Sequence, residues 1–477
     1  MTTHTGSKAL ALLVAGTFFM ENLDATVVTP AVPAMAKSFA AAPVDLSAGV
    51  SAYMIALGVF IPVSGWAAQR FGARQIFAAA IVMFTLTSLL CGMAQDLPQF
   101  VAARVLQGIG GAMMVPVGRL VVLRETPKER LVSAIAVLTW PALVAPVLGP
   151  PLGGLIVDHG DWRWIFWLNL PLGAMALAGA LRLVPHLEAE PQRRFDWTGF
   201  LLLGGAIFAL MLMAEDMSRP DASLPVAATG VIVGLVLLGL GVRHLNRAET
   251  PMLRLSALET QTFAVTIWGG SLFRMGVSAV PFLVPIMFQV GFGYTSFQAG
   301  GMLMAVFAGN LTMKPFTTAG MRRFGMKPVL LVNGTLNAAM IAACALFGAW
   351  LPLWATCAIL FLGGMTRSMQ FTVFNTIAFA DVPKDQMTDA NTLFSTAFQL
   401  AMGMGITLGA IAWRLGEVLG HGGDPAAPFR IAFLIVAAAS ALGIIDSLKL
   451  APDAGRIVAG PKASLTNSPQ PPKGEPK

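Results

Sequence analysis

Charged side chains are scarce in this sequence. Asp, Glu, Lys and Arg make up 12% of its 477 residues, against about 25% in ordinary soluble domains. A chain this poor in charge leaves no room for a large soluble domain. Cysteine and histidine are also scarce, with 3 and 5 residues. The odd number of cysteines argues against a disulfide framework, and no histidine lies at a metal-ligand spacing, so we expect no bound metal.

Other absences restrict the chemistry further. The sequence contains no phosphate-binding GxxxxGKS/T motif, which argues against ATP as a direct energy source. No His–Asp pair or nucleophile–base pair marks the edges of its apolar segments, so we expect neither an enzyme nor a cofactor. The net charge of +7 is spread over short loops, which is typical of membrane topology and argues against nucleic-acid binding.

Apolar runs are what the sequence has in abundance. Hydrophobic residues make up 56% of the chain, and the mean hydropathy is +0.72. Runs long enough to cross a bilayer recur about fourteen times, which predicts an all-α polytopic membrane protein. The predicted spans are approximately 9–30, 47–67, 76–95, 99–122, 131–157, 163–183, 197–214, 224–242, 262–289, 298–319, 328–349, 353–380, 389–413 and 430–447.

The loops indicate how these spans are oriented and grouped. Lys and Arg are roughly four times as frequent in the loops on the N-terminal side of the membrane as on the other side, which predicts that both termini are cytoplasmic. The first span carries carboxylates and is longer than the apolar core of a signal peptide, so we expect it to be retained. We expect a six-helix bundle in residues 1–184, two lipid-facing linker helices with flanking loops in 185–258, a second six-helix bundle in 259–449 and a disordered cytoplasmic tail in 450–477.

The first span contains two carboxylates at membrane depth. Glu21 and Asp24 lie three residues apart in FFMENLDATVVTPAVP, so a helix places them on one face, with Asn22 beside them. A carboxylate there costs about 2.5–3.5 kcal/mol on insertion scales, which favours a proton or substrate site facing a wet cavity. The alternative is a structural pair that is hydrogen-bonded to a neighbouring helix.

The fourth span, with the sequence RVLQGIGGAMM, supplies a possible counter-charge. Arg104 is the one charge in its middle, and Gln107 follows with small residues that let another helix approach closely. A guanidinium at this depth needs an anionic or carbonyl partner. We expect that partner to be Asp24 or Glu21.

Two segments have compositions that suit a change of conformation. In the fifth span, prolines alternate with small residues, which predicts a helix that bends and packs tightly; the residues of interest are Pro146, Gly149, Pro150, Gly153 and Gly154. The loop GWAAQRFGARQ after the second span contributes Gly65, Gln69, Arg70, Gly72 and Arg74. Its RFG recurs in GMRRFGMKP after the tenth span, which indicates an internal duplication.

The second half of the chain adds polar residues within its apolar spans. We expect these to line the cavity together with Asn22 and Gln107 of the first half: Arg274, Gln289, Asn310, Arg367, Gln370 and Asn375. Arg274 and Arg367 would attract an anionic substrate or balance the acidic pair. Arg119 and Lys314 lie nearer the span ends, where we expect their side chains to extend to the membrane surface.

Together these motifs resemble the major facilitator superfamily, and specifically its fourteen-span drug:proton antiporter branch (EmrB/QacA-like). LDATVVTPAVP resembles the branch's first-helix signature, and the loop at Gly65 resembles the superfamily's inter-helix motif. RVLQGIGGA and VLGPPLGG resemble the fourth-helix motif and the fifth-helix antiporter motif. WRWIFWLNLPLG and FDWTGFLLL resemble the sixth-helix start and the start of the first extra helix.

The resemblance implies a major facilitator fold with two six-helix bundles and two extra helices. It implies proton-coupled export of small amphipathic compounds (multidrug efflux) across the cytoplasmic membrane by alternating access. Asp24, Glu21 and Arg104 would carry the proton coupling. An exporter of one specific metabolite is the alternative.

The resemblance also implies partners. They are the small-molecule substrate, protons and the lipid bilayer, with a periplasmic adaptor protein as a candidate, and the transporter would act as a monomer. The sequence departs from the family at Gln69, where relatives carry an acidic residue that locks the bundles through charge. That lock is not expected here in the same form.

Overall fold

The computed structural model describes residues 3–41, 43–186, 194–217, 223–348, 350–419, 424–452 and 454–455. This part of the chain is helical and contains no strand. The long helices are α1 (Thr3–Val27), α2 (Ser47–Phe71), α3 (Ala73–Met93), α4 (Leu97–Glu125), α5 (Leu131–His159), α6 (Asn169–Leu183), α7 (Trp197–Met217), α8 (Leu224–Leu245), α9 (Gln261–Ile286), α10 (Ser296–Phe324), α11 (Met326–Ala343), α12 (Leu353–Ile377), α13 (Met387–Leu419) and α14 (Ala427–Ser447).

Each predicted span corresponds to one of these helices. Among the described residues, 12 helices are long and apolar enough to cross a membrane. The other two long helices, α5 and α10, occupy the fifth and tenth predicted spans. The predicted class, an all-α polytopic membrane protein, is confirmed.

The helix ends follow from local sequence. Asp96 caps α4 by accepting a hydrogen bond from the Gln99 backbone N–H at 2.8 Å, and Thr295 and Gln298 form a capping box at the start of α10. The two RFG loops use the same turn. Gly72 between α2 and α3 has φ 89°, and Gly325 between α10 and α11 has φ 82°. Only glycine adopts this conformation at low cost, so the repeated glycine has a shared structural reason.

Small residues allow the helices to pack closely within each half of the chain. In the first half α2 and α3 pack on α4, and α1 packs on α5. In the second half α9 packs on α13 and α14, while α10 packs on α12. Gly108 of α4 lies against the backbone of Tyr53, and Gly364 of α12 lies against the backbone of Val306, so any side chain at either glycine would force the helices apart.

The two helices between these halves differ in their surroundings. α7 packs on α2 and on α13 as well as on α8, and Gly58 of α2 lies against Met211 and Ile207 of α7. The most apolar stretch of α8 is only 17% buried, against 39% for that of α7. Most of α8 is therefore exposed, as expected for a lipid-facing helix. α7 also has an exposed face, which includes Leu201 and Phe208, but in addition it contacts both halves, which the sequence did not predict.

The predicted tail begins before the packed structure ends. Leu450 is buried, and its carbonyl oxygen accepts a hydrogen bond from Lys327 Nζ at 2.6 Å. Gly455 lies beside Met326 at the start of α11. Residues 456–477, on which most of the tail prediction falls, lie outside the described residues.

Candidate functional site

Asp24 lies at the centre of a buried network that joins four helices. Its Oδ2 lies 2.6 Å from Arg104 Nη1 of α4. Its Oδ1 accepts hydrogen bonds from Gln107 Nε2 at 3.0 Å and from Asn169 Nδ2 of α6 at 2.7 Å. Ser88 of α3 accepts from the same two amides. The predicted contact between Arg104 and one of the two carboxylates is thus formed with Asp24.

The side chains of this network are buried in the described structure. Asp24 is 1% exposed, and Arg104 and Gln107 are 0% exposed. The guanidinium of Arg104 lies 4.2 Å from the ring centroid of Tyr53, which covers it as a cation–π partner. Three donors converge on one carboxylate, so a proton on Asp24 would displace at least one of them.

A large cavity lies beside this network. It has a volume of about 700 Å³, which suits a drug-sized molecule. Its lining includes residues near the end of α1 and the start of α2, so it lies toward the end of the molecule opposite the N-terminus. Its lining comes from α1, α2, α7, α9, α12 and α13: Glu21, Asn22, Ala25, Thr26, Val50, Ser51, Tyr53, Met54, Ile55, Leu57, Met211, Ala214, Glu215, Ser278, Pro281, Arg367, Phe398, Gln399, Met402, Gly403 and Ile406.

The two carboxylates of α1 lie in different environments. Glu21 lines the cavity, and its Oε2 is buried with no hydrogen-bond partner in the described structure. Asn22 also lines the cavity, with its Nδ2 donating to the Phe18 carbonyl at 2.8 Å. Asp24 does not line it: this residue is 1% exposed and pairs with Arg104, whose guanidinium lies over the ring of Tyr53. Glu21 is therefore on the cavity surface, and Asp24 is in the protein interior next to it.

At the N-terminal end of the molecule the two halves are in contact. Asn391 of α13 donates to the Pro116 carbonyl of α4 at 2.9 Å, and Arg124 donates to Thr388. Gly65 of α2 lies so close to Thr392 that a methyl group there would overlap it. These contacts close the cavity at this end.

Two arginines flank one ring within this closed contact. Arg119 of α4 lies 5.3 Å and Arg274 of α9 lies 4.9 Å from the ring centroid of Phe394. Arg274 is 0% exposed and donates to the Thr266 carbonyl at 3.1 Å. It does not line the cavity, so the prediction that it does so is wrong for this conformation.

Arg367 is the one polar residue predicted from the second half that lines the cavity. Gln370 instead joins α11 and α12 by donating to the Leu330 carbonyl at 3.1 Å. Gln289 donates to the Pro285 carbonyl at 3.2 Å. Asn310 is buried in α10, and Asn375 lines a small separate pocket beside Arg119. The predicted cavity positions of these four residues, and that of Gln107, are wrong because hydropathy gives depth but not the direction in which a side chain points.

The glycines of α5 divide into two groups. Gly149 and Gly153 lie directly against Thr26 and Val27 of α1, whereas Gly154 has no neighbour within 4 Å. Pro150 is exposed, and the side chain of Pro146 lies outside the described residues.

Besides Gly65, further residues of this loop make contacts or turns that the structure describes. Arg74 donates to the Leu181 carbonyl at the end of α6, Arg70 lies over the ring of Phe71, and Gly72 makes the turn between α2 and α3. Gln69 Oε1 is buried with no hydrogen-bond partner in the described structure.

Lys314 of α10 does not extend to the surface as predicted. It is 6% exposed, and its Nζ donates to Thr372 Oγ1 at 2.9 Å.

Several residues of the site carry no strong sequence signal. Tyr53 and Ser88 are ordinary residues of apolar spans, and Asn169 stands in WLNLPLG without a charge to mark it. Glu215 lies at the end of α7 in AEDM, where a carboxylate resembles a loop charge. In the structure it lines the cavity.

Comparison with known proteins gives consistent matches. The model of the Major Facilitator Superfamily matches residues 14–406. Multidrug resistance protein MdtD of Klebsiella pneumoniae (strain 342) is 38% identical over 405 residues, 84% of each chain. Its namesake from Pectobacterium carotovorum subsp. carotovorum (strain PC1) is 37% identical over 400 residues, covering 84% of this chain and 85% of the relative.

Two solved structures share the fold. The human organic anion transporter MFSD10 matches with a TM-score of 0.66 at 14% identity, covering 92% of this chain and 99% of that one. The proton:xylose symporter XylE matches with a TM-score of 0.67 at 15% identity, covering 94% and 97%. At this identity the two structures support the fold alone.

Proposed function

The chain belongs to the major facilitator superfamily, and on that premise we propose that it exports small amphipathic compounds across the cytoplasmic membrane in exchange for protons, by alternating access. The similarity to the multidrug resistance proteins supports this substrate class. The observation that carries the proposal is Glu21, which lines a cavity of about 700 Å³, has one carboxylate oxygen without a hydrogen-bond partner in the described structure, and lies one helical turn from the Asp24–Arg104 pair. A free carboxylate at such a depth is a proton or cation site.

We assign different steps to the two carboxylates. Glu21 takes a proton or a cationic group directly from the cavity. Asp24 takes its proton only when the network around it opens, because Asp24 is 1% exposed and is paired with Arg104, which lies over Tyr53. Protonation of Asp24 replaces an acceptor by an O–H donor and frees Arg104, and this change favours a rearrangement of α1 against α4.

The conformation suits one state of alternating access. With both termini in the cytoplasm, as the loop charges favour, the cavity opens toward the outside, and the contacts of Asn391 and Arg124 close the cytoplasmic end. We propose that helices α1–α6 and α9–α14 are the two bundles that rock against each other. The transporter would work as a monomer in the inner membrane, with a periplasmic adaptor as a candidate partner.

Export of one specific metabolite is a second candidate. The position of Arg367 on the cavity wall favours it, because a promiscuous apolar site has little use for a buried guanidinium.

The proposal is tested with the purified full chain in liposomes at a clamped membrane potential. An imposed pH gradient should drive the cationic probe ethidium against its concentration gradient. Asp24→Asn should abolish this movement, while Asp161→Asn, which changes an exposed carboxylate, should leave it unchanged. If the wild-type protein transports ethidium at the same rate with and without the pH gradient, proton coupling is contradicted. Full coupling in Asp24→Asn would remove Asp24 from the mechanism.

A further inference from the structure

Arg367 is a cation on the cavity wall without a counter-ion. Its guanidinium carbon lies 5.7 Å from the ring centroid of Phe371, and none of the ion pairs among the described residues includes it. Arg367 is half-buried within a membrane-spanning helix, where a guanidinium normally has an anion or carbonyl oxygens as partners. The open side of Arg367 faces the cavity, where a transported molecule would lie.

A small side pocket adjoins the cavity at Arg367, which lines both spaces. The pocket has a volume of about 30 Å³ and is otherwise mostly apolar, with Val277, Ile341 and Leu360 in its walls. That volume holds about two water molecules. It therefore admits one small group of a larger molecule and excludes the rest.

Asn337 places an unused donor in this pocket. The residue is 2% exposed, and its Nδ2 has no hydrogen-bond partner in the described structure. Thr366 Oγ1 lies 3.3 Å from its Oδ1 and 3.0 Å from the Gly363 carbonyl oxygen, to which the same hydroxyl can donate, so Thr366 is the one hydrogen-bonding neighbour that the described structure gives this amide. A buried donor without an acceptor is costly, and an acceptor group on a ligand removes that cost.

We propose that Arg367 and Asn337 form a carboxylate-binding subsite, and that amphipathic zwitterions are among the compounds exported through this cavity. One charged donor and one neutral donor in an apolar pocket match the two oxygens of a carboxylate. Glu21 and Glu215 supply negative charge to the same cavity, where they accept the amine of the same molecule. This inference rests on the proposed function, because it names the substrate class of the same cavity.

Binding to the full chain in detergent tests the subsite without requiring transport. The probes are Nε-dansyl-lysine, a fluorescent zwitterion, and its methyl ester, which keeps the amine and the dansyl group but has no carboxylate. The wild-type protein should bind the zwitterion about tenfold more tightly than the ester, as expected for one charge-assisted contact. Arg367→Gln and Asn337→Asp should each remove this preference while leaving the affinity for the ester unchanged.

Two controls make the result specific. Arg367→Lys keeps the charge and should keep part of the preference, and Arg323→Gln removes an exposed cation elsewhere and should keep all of it. Retained affinity for the ester reports that each variant is folded. The inference is overturned if the wild-type protein binds the zwitterion no better than the ester, or if Arg367→Gln weakens both probes equally. Preferential binding without pH-driven transport would instead contradict the proposed function and leave the subsite standing.

Discussion

Asp24 Oδ2 lies 2.6 Å from Arg104 Nη1, and neither side chain is exposed. The pair links α1 to α4 in the interior of the first half of the chain, and Gln107 and Asn169 complete the hydrogen bonding of the carboxylate. Two charges buried in this way depend on each other, since the loss of one leaves the other without compensation.

The first prediction concerns the stability of this pair. Asp24→Asn and Arg104→Gln should each destabilise the protein by about 3–5 kcal/mol, because each leaves an unpaired charge or an unused polar group. The double variant should recover part of this loss. Thermal unfolding of the purified proteins in detergent measures all three. If the two losses simply add in the double variant, the pair does not act as a unit.

The second prediction concerns Glu21. Glu21→Gln keeps the shape of the side chain, and Oε2 has no hydrogen-bond partner to lose in the described structure, so the stability should stay close to that of the wild type. Export of cationic compounds should fall by roughly tenfold, while export of neutral compounds of similar size should not change, because only the former need the charge. Paired efflux assays in cells measure the ratio. An equal loss for both classes would place Glu21 in the proton relay instead.

A third prediction uses two glycines of α5. Gly149→Leu should stop transport, because the side chain would overlap Thr26 of α1. Gly154→Leu is the matched control, since a Cβ at that position meets no atom within 4 Å. Protein levels in the membrane and efflux are measured for both variants. Comparable efflux from the two variants would show that the contact between α1 and α5 does not limit the transport cycle.

The fourth prediction concerns the contact that closes the N-terminal end. Gly65→Val should push α2 away from Thr392 of α13 and favour the opposite conformation. A cysteine introduced at buried Ala390, in a chain without its native cysteines, should then react faster with a maleimide. Thr392→Ala added to Gly65→Val should reverse part of this gain. Unchanged labelling in Gly65→Val would mean that α2 and α13 do not separate during the cycle.

The sequence was sufficient for the fold and for the best-marked part of the site. Apolar runs define the helices because a bilayer leaves the backbone few alternatives. A lone arginine in one span and an acidic pair in another predict a contact such as Arg104–Asp24, because unpaired charge is costly at that depth.

The sequence was a weaker guide to which polar residues line the cavity. Gln370 and Gln289 have the same depth and composition signal as Arg367, but their hydrogen bonds go to carbonyl groups within the protein. Glu215 was missed for the opposite reason, because its position near a helix end suggested an aqueous loop. Only the packing of α7 against α2 and α13 shows which space it reaches.

That packing has a mechanical consequence. α7 touches a helix from each half of the chain, and its partner α8 is largely surrounded by lipid. If the halves rock against each other, α7 cannot stay fixed to both. It must slide along at least one of them, and α8, which packs on α7, then moves through the bilayer. This movement does work on the surrounding acyl chains. The rate of the transport cycle would then depend on the thickness and fluidity of the membrane, because α7 and α8, which lie outside both bundles, must move within it.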